Sequence, residues 1–354
     1  MWGLCHYPLG FRTLGCDVAM VDWIDATSKS EAGAAGTVRA SLSYLSLDQS
    51  YCLLASDGAV IVGFARGDLV QRLKESLLLN TMGFVNDAEI LAAASRRIFL
   101  DIDPGFGQMW LELGQADVFA GHDAFVTIGE NINEPWCEVP TCGRNWMTTR
   151  QPVVLDQWPA TPKEREVFTT VASWRGPWDA VVYEGKRYGL RCHEFRKFFE
   201  LPRLTGQEFE LALDIDPADE NDRRALAENG WRLVDPRAVA GDPWSYRRYI
   251  QGSMAEICVA KNMYVETKSG WFSDRSICYL ASGKPVLHQD TGLRHLYPTG
   301  EGLIVFSTLD EAAAGVEEIR RNYDRHSKAA REIAEEYFDS DKVLTRLLEN
   351  LGVG

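Results

Sequence analysis

The sequence has no long apolar run. Nothing in its 354 residues approaches the ~20 uninterrupted apolar positions that a bilayer-spanning helix requires, and its start lacks the basic, apolar, small-residue order of a signal peptide. A cytoplasmic location without a membrane span is the expectation. Positive charge is scarce too: 37 Lys and Arg stand against 51 Asp and Glu, for a formal charge of -14. Neutralising a nucleic-acid backbone takes clustered cations, so no nucleic-acid partner is expected and any phosphate site must be small and local. Of the eight cysteines only Cys137 and Cys142 lie close together, outside the CxxC spacing and with no second cluster or histidine nearby. Neither a structural metal nor a disulfide framework is expected.

A chain of this length exceeds one ordinary core and suits two domains. Residues 5–14 read as a helix ending at Gly15, followed by a strand over Asp17–Asp22. A doubly wound sheet normally starts with a strand. The first lobe's initial strand is therefore expected either upstream of Met1 or absent. Buried segments follow at 59–62 and 76–80, then a helix over 86–96 and strands at Arg97–Asp103 and Ala124–Ile128. The run from Pro152 to Glu166, rich in proline and charge, marks a boundary. Alternation then resumes with strands at Val167–Ala172, Phe209–Asp214, Trp231–Val234 and Glu256–Ala260, and helices over 219–228 and 243–251. Apolar strands alternating with helices define an α/β fold with parallel sheets. The expected division is a first lobe over 1–158, a second over 159–338, and a last helix over 339–354, capped at Ser340, that crosses back to the first lobe. Leu100–Pro104 recurs as Leu213–Pro217, which reflects the use of Asp-Pro to end strands as readily as duplication.

The segment from Ser269 to Leu287 parses into loop, helix and strand, with Ser273 placed to cap the helix and Gly283 to end it. A helix N-terminus offers unpaired N–H groups and the positive end of the dipole, and Arg275 in its first turn adds a forked cation. That arrangement suits a diphosphate. It is equally the pattern of a capped surface helix with an exposed arginine.

The run from Asp274 to Leu287 resembles the donor-site helix of GT-B fold glycosyltransferases, with Ala281-Ser282-Gly283-Lys284-Pro285-Val286 matching the helix-to-strand turn. The following Gln289-Asp290-Thr291-Gly292 resembles the turn that closes around the donor. More diffusely, Leu9–Val18 looks like the family's first helix and second strand, and Leu309–Leu351 like its closing helices. The resemblance implies two Rossmann-like lobes facing a cleft and metal-independent transfer of a sugar from a nucleotide diphosphate sugar to a hydroxyl on a small-molecule or glycan acceptor, without a cofactor. Donor contacts are then expected from Ser173, Trp174, Lys261, Ser273, Asp274, Arg275, Asp290, Thr291 and Gly292. One departure stands out: the family's ribose-binding acid falls at Cys278, and a thiol cannot replace it. Asp274 and Asp290 are the nearest carboxylates.

For a base on the acceptor side the candidates at strand ends are Asp101, Asp103, Glu130 and His122. Asp103 comes first, with His6 at the start of the first helix second. Asp101-Ile102-Asp103 also looks like a metal-binding Asp-x-Asp, a motif that belongs to single-lobed enzymes; no metal is expected. Two other readings remain open here: a nucleotide-sugar epimerase of the same fold, and a non-catalytic GT-B-like auxiliary protein.

Overall fold

A computed structural model describes residues 2–24, 31–55 and 58–353; whatever bears on Met1 lies outside them. The first helix, Trp2–Thr13, ends where Gly15 takes a φ of 85° and the Cys16 amide returns to the Phe11 carbonyl at 3.0 Å, a closure that glycine adopts without strain. Seven strands follow among the described residues of the first lobe. β1 (Met20–Ile24), β2 (Tyr51–Ala55) and β3 (Val60–Gly63) form one sheet, with β1 parallel to β2 and β3 antiparallel. β4 (Leu77–Thr81), β5 (Arg96–Asp101), β6 (Ala124–Thr127) and β7 (Trp146–Thr148) form a second, all-parallel sheet. No strand among the described residues pairs with the outer edge of β1 or of β4. Side chains bridge the two pieces instead: Val21, Trp23, Cys52 and Leu54 share an apolar cluster with Leu78.

The second lobe holds a six-stranded sheet in the order β12-β11-β8-β13-β14-β15, parallel throughout. Its strands are β8 (Val167–Ser173), β11 (Glu208–Asp214), β12 (Trp231–Val234), β13 (Ala255–Cys258), β14 (Val286–Gln289) and β15 (Leu303–Phe306), while β9 (Val181–Tyr183) and β10 (Lys186–Tyr188) make a separate hairpin. The chain winds outward in both directions from β8 and β13. Ligands in such sheets bind outside the carboxyl ends at that switch point.

A shared core joins the lobes. Phe106 and Met109, from the Phe106–Glu112 helix of the first lobe, cluster with Val181, Tyr188, Met263, Tyr264 and Trp271 of the second. Gly105, at φ 109°, allows this approach, since a Cβ there would lie 2.6 Å from the Met263 sulfur. The linker and tail also pair: the Val153 amide donates to Phe338 at 2.7 Å and the Ser340 amide donates back to Val153 at 3.0 Å. The last helix, Ser340–Asn350, is capped by Asp339, whose side chain accepts from the Asp341 amide, so Ser340 is its first residue and not its cap. Its Leu344 and Leu347, with Leu351, bury against Tyr7, Ile98, Leu100 and Val126 of the first lobe, completing the apolar face that an amphipathic helix must cover.

Candidate functional site

The helix Asp274–Ala281 starts where the sequence places it. The Ser273 hydroxyl accepts from the Arg275 amide at 3.2 Å, and Gly283 ends the turn at φ 68°. Its N-terminus faces a cavity of about 190 Å³ at the switch point, with Ser173 from the end of β8 and Lys261 just past β13 in the walls. The first helix abuts this helix end. Gly3 and Leu4 line the same cavity, and a Cβ at Gly3 would collide with the Asp274 carboxylate.

Five of the expected donor residues therefore come together: Ser173, Lys261, Ser273, Asp274 and Arg275. Four do not line the cavity. Trp174 is fully buried in the second lobe's core, with its indole N–H given to Asp222 at 2.9 Å. Asp290 turns its carboxylate onto the Gly292 and Leu293 amides at 2.8 and 3.0 Å and onto Arg294. Thr291 donates to the Trp271 carbonyl at 2.6 Å. Gly292 lies against Asn131 of the first lobe, whose side-chain amide donates to its carbonyl at 3.0 Å. The turn over 290–292 thus shapes the seam between the lobes.

Arg275 is not exposed. Its Nε meets Glu256 at 2.5 Å, and its two terminal nitrogens donate to the Val171 carbonyl and the Cys258 sulfur at 2.9 and 3.2 Å. Burial opposes its charge, but the Glu256 carboxylate outweighs that and holds its pKa well above the ordinary value.

Arg191 was not visible as a site residue from sequence. It stands in the first turn of the Arg191–Phe195 helix, just after the β9–β10 hairpin, and lines the cavity. Only carbonyls hold it: Nε donates to Val259 at 3.0 Å and a terminal nitrogen to Ser173 at 2.8 Å. No carboxylate pairs with it among the described residues, although it is only 7% exposed. Burial first, then the nearby charge of Arg275, pushes its pKa down. An arginine buried beside another cation, with no carboxylate in direct contact and only the more distant Asp103 charge to offset it, is an arrangement that an incoming anion relieves. The only local sequence signal was Gly189-Leu190-Arg191 entering a helix.

The proposed bases are placed differently. Asp103, two residues beyond β5, lines the cavity but accepts from Lys261 Nζ at 2.6 Å, from Trp178 Nε1 at 3.2 Å and from the Tyr264 hydroxyl. His6 is on the buried face of the first helix, its Nδ1 accepting from the Val154 amide at 3.2 Å and its Nε2 lying 3.6 Å from the Cys278 sulfur. That position closes His6 off from any acceptor hydroxyl. Asp101 is buried and accepts from Gln108, Thr127 and the Asp103 amide. Glu130 engages Arg150 at 3.0 Å and the Tyr297 hydroxyl, and His122 sits 2.9 Å from the Asn80 side chain. Among the described residues no three His, Cys, Asp or Glu side chains converge on a point that could hold a metal ion.

The buried titratable groups set a pH dependence. Burial lowers His6 from 6.5 to about 3 and His288 from 6.5 to about 4. Each must gain a proton on unfolding below pH 6.5, so their contribution is complete above that pH and lost as pH falls toward the folded values. Asp101 acts oppositely: burial, partly offset by Gln108 and Thr127, raises it from 3.8 to about 6, so the folded state holds the extra proton between those values. Two groups outweigh one. Melting temperature is expected to decline from pH 6.5 to about 4, and a rise across that interval in a calorimetric series would contradict the assignment.

No family model matches this sequence, and no curated protein sequence matches it either. Solved structures match it in shape. HepE from Anabaena, in complex with UDP-glucose, aligns with a TM-score of 0.60 over 95% of this chain and 99% of its own, at 11% identity. The same protein with UDP and glucose gives 0.59 over the same shares, at 11% identity. A glycosyltransferase from Rickettsia africae gives 0.50 over 94% of this chain and 97% of its own, also at 11%. A likeness of that extent shows the fold: two Rossmann-like lobes of the GT-B type.

Proposed function

We propose that the protein is a glycosyltransferase that moves a sugar from a nucleotide diphosphate sugar to a hydroxyl acceptor. The observation that carries this reading is the buried trio Arg191, Lys261 and Arg275 around a capped helix N-terminus at the switch point, with Arg191 lacking a carboxylate partner. In the transfer, the bond from the sugar's anomeric carbon to the diphosphate oxygen breaks and its electron pair leaves with the diphosphate. The acceptor oxygen bonds to that carbon, and its proton passes to the departing diphosphate or to water. Preorganised donors aimed at the departing charge lower the barrier, and we assign that role to Arg191, Lys261 and the helix N-terminus. Arg275 holds the helix end in place through Glu256. Charge neutralisation by these side chains makes the transfer independent of a metal ion. HepE, of similar fold, was solved with UDP-glucose, which makes UDP the first nucleotide to test.

Thermal stabilisation by a panel of nucleoside diphosphates tests the reading. A ligand at a hundred times its Kd stabilises the folded state by ~2.7 kcal/mol, a rise of several degrees for a chain of this size. Failure of every nucleoside diphosphate to shift the transition would remove the donor site. Acceptor-dependent release of nucleoside diphosphate from the matching sugar nucleotide then separates transfer from epimerisation.

A further inference from the structure

Asp103 belongs to the first lobe, yet all three donors to its side chain come from the second. Lys261 and Asp103 are both nearly enclosed, with side chains 11% and 13% exposed. The ammonium sits over the rings of Phe106 and Tyr264 at 5.0 and 5.4 Å, and Asp103 is its only carboxylate partner among the described residues. Both groups line the cavity that Arg191 and Arg275 also face. A carboxylate thus already occupies part of the cationic surface to which an anionic ligand would bind.

We propose that Asp103 is an internal stand-in for the donor's diphosphate, competing with it for Lys261, so that donor binding exchanges a contact between the lobes for one to the ligand. This rests on the donor-site reading above. A diphosphate carries more negative charge than one carboxylate and more acceptor oxygens, so it wins Lys261 when it also gains Arg191. Until then the Asp103 charge repels it. Once Lys261 turns to phosphate, Asp103 keeps only Trp178 and Tyr264 and one side of its carboxylate is freed toward the cavity. Asp103 is therefore a positioning residue that sets donor affinity and couples it to the seam.

The test is calorimetric titration of UDP and of uridine into the wild-type protein, Asp103→Asn and Trp178→Phe. Asp103→Asn keeps the shape and removes the competing charge, so UDP should bind about tenfold tighter, the size expected for lifting one like charge from a half-enclosed site. Uridine, lacking phosphate, should show no gain. Trp178→Phe removes one of the two contacts that hold the carboxylate once Lys261 has left it, so it should weaken UDP by about threefold; it carries the test if Asp103→Asn does not fold. Both changes should vanish when Lys261→Met is added. A purely structural Asp103 predicts a lower melting temperature for Asp103→Asn with UDP affinity unchanged or weaker, and that result overturns the stand-in while leaving the donor site intact. Equal gains for uridine and UDP overturn it as well, since general loosening then explains them. No UDP binding by any of the proteins overturns the donor-site reading and this inference with it.

Discussion

Replacing Arg275 with alanine is expected to destabilise the fold by about 3–5 kcal/mol, the cost of leaving one member of a buried ion pair alone. From sequence the arginine looked dispensable to the fold, a forked cation at an open helix end. In the structure it is 7% exposed and Glu256 beneath it is fully buried. The second oxygen of Glu256 has no hydrogen-bond partner among the described residues, so the carboxylate depends on this guanidinium. The variant should melt about 4–7 °C lower at this size, or fail to accumulate as folded protein. Arg275→Lys should recover only part of the loss, because an ammonium can meet Glu256 but cannot also reach the Val171 carbonyl and the Cys258 sulfur. Combining Arg275→Met with Glu256→Leu should regain much of the stability, since neither charge is then left buried without a partner. An unchanged melting temperature for Arg275→Ala would show that the pair does not hold the helix.

Arg191→Met should do the reverse. Nucleoside diphosphate affinity is expected to fall ten- to a hundredfold, the loss of one charge-assisted contact of roughly 1.5–3 kcal/mol. Stability should change far less than in Arg275→Ala. The substitution forfeits hydrogen bonds to the Val259 and Ser173 carbonyls, but it also removes a buried cation that no carboxylate contacts directly and that lies near Arg275. Those effects offset each other. Titration calorimetry and a melting curve on the same preparation separate the outcomes: normal affinity with a large loss of stability would make Arg191 a core residue and leave the donor site without its main support.

These two arginines mark the line between what was legible in the chain and what was not. The helix Asp274–Ala281, its Ser273 cap and its Gly283 stop could be placed from sequence, as could β12, whose bounds Trp231–Val234 agree residue for residue. Caps, glycine turns and apolar runs act over a few residues, and the residues that cause them are adjacent. The α/β alternation and the two lobes follow from the same short-range signals repeated along the chain. β2, β15 and the β9–β10 hairpin are not legible in the chain, because strands of three to five residues are too short for periodicity to separate them from helix or loop, even where Glu184-Gly185 marks the hairpin turn.

Whether a charged side chain faces ligand or protein was decided elsewhere. Arg275 meets Glu256 only because β13 runs beneath the helix. Arg191 reaches the cavity because its helix brings it to the Val259 carbonyl, 68 positions away. Asp103 is held by Lys261 and Tyr264, 158 and 161 positions distant, and His6 lies against Val154, 148 positions on. The sequence by itself determined the longer elements, their order and the capped helix end, since those depend on local backbone chemistry. Only the tertiary structure decided which cation already has a partner and which does not, because burial and ion pairing depend on the distances between segments that the chain order leaves far apart.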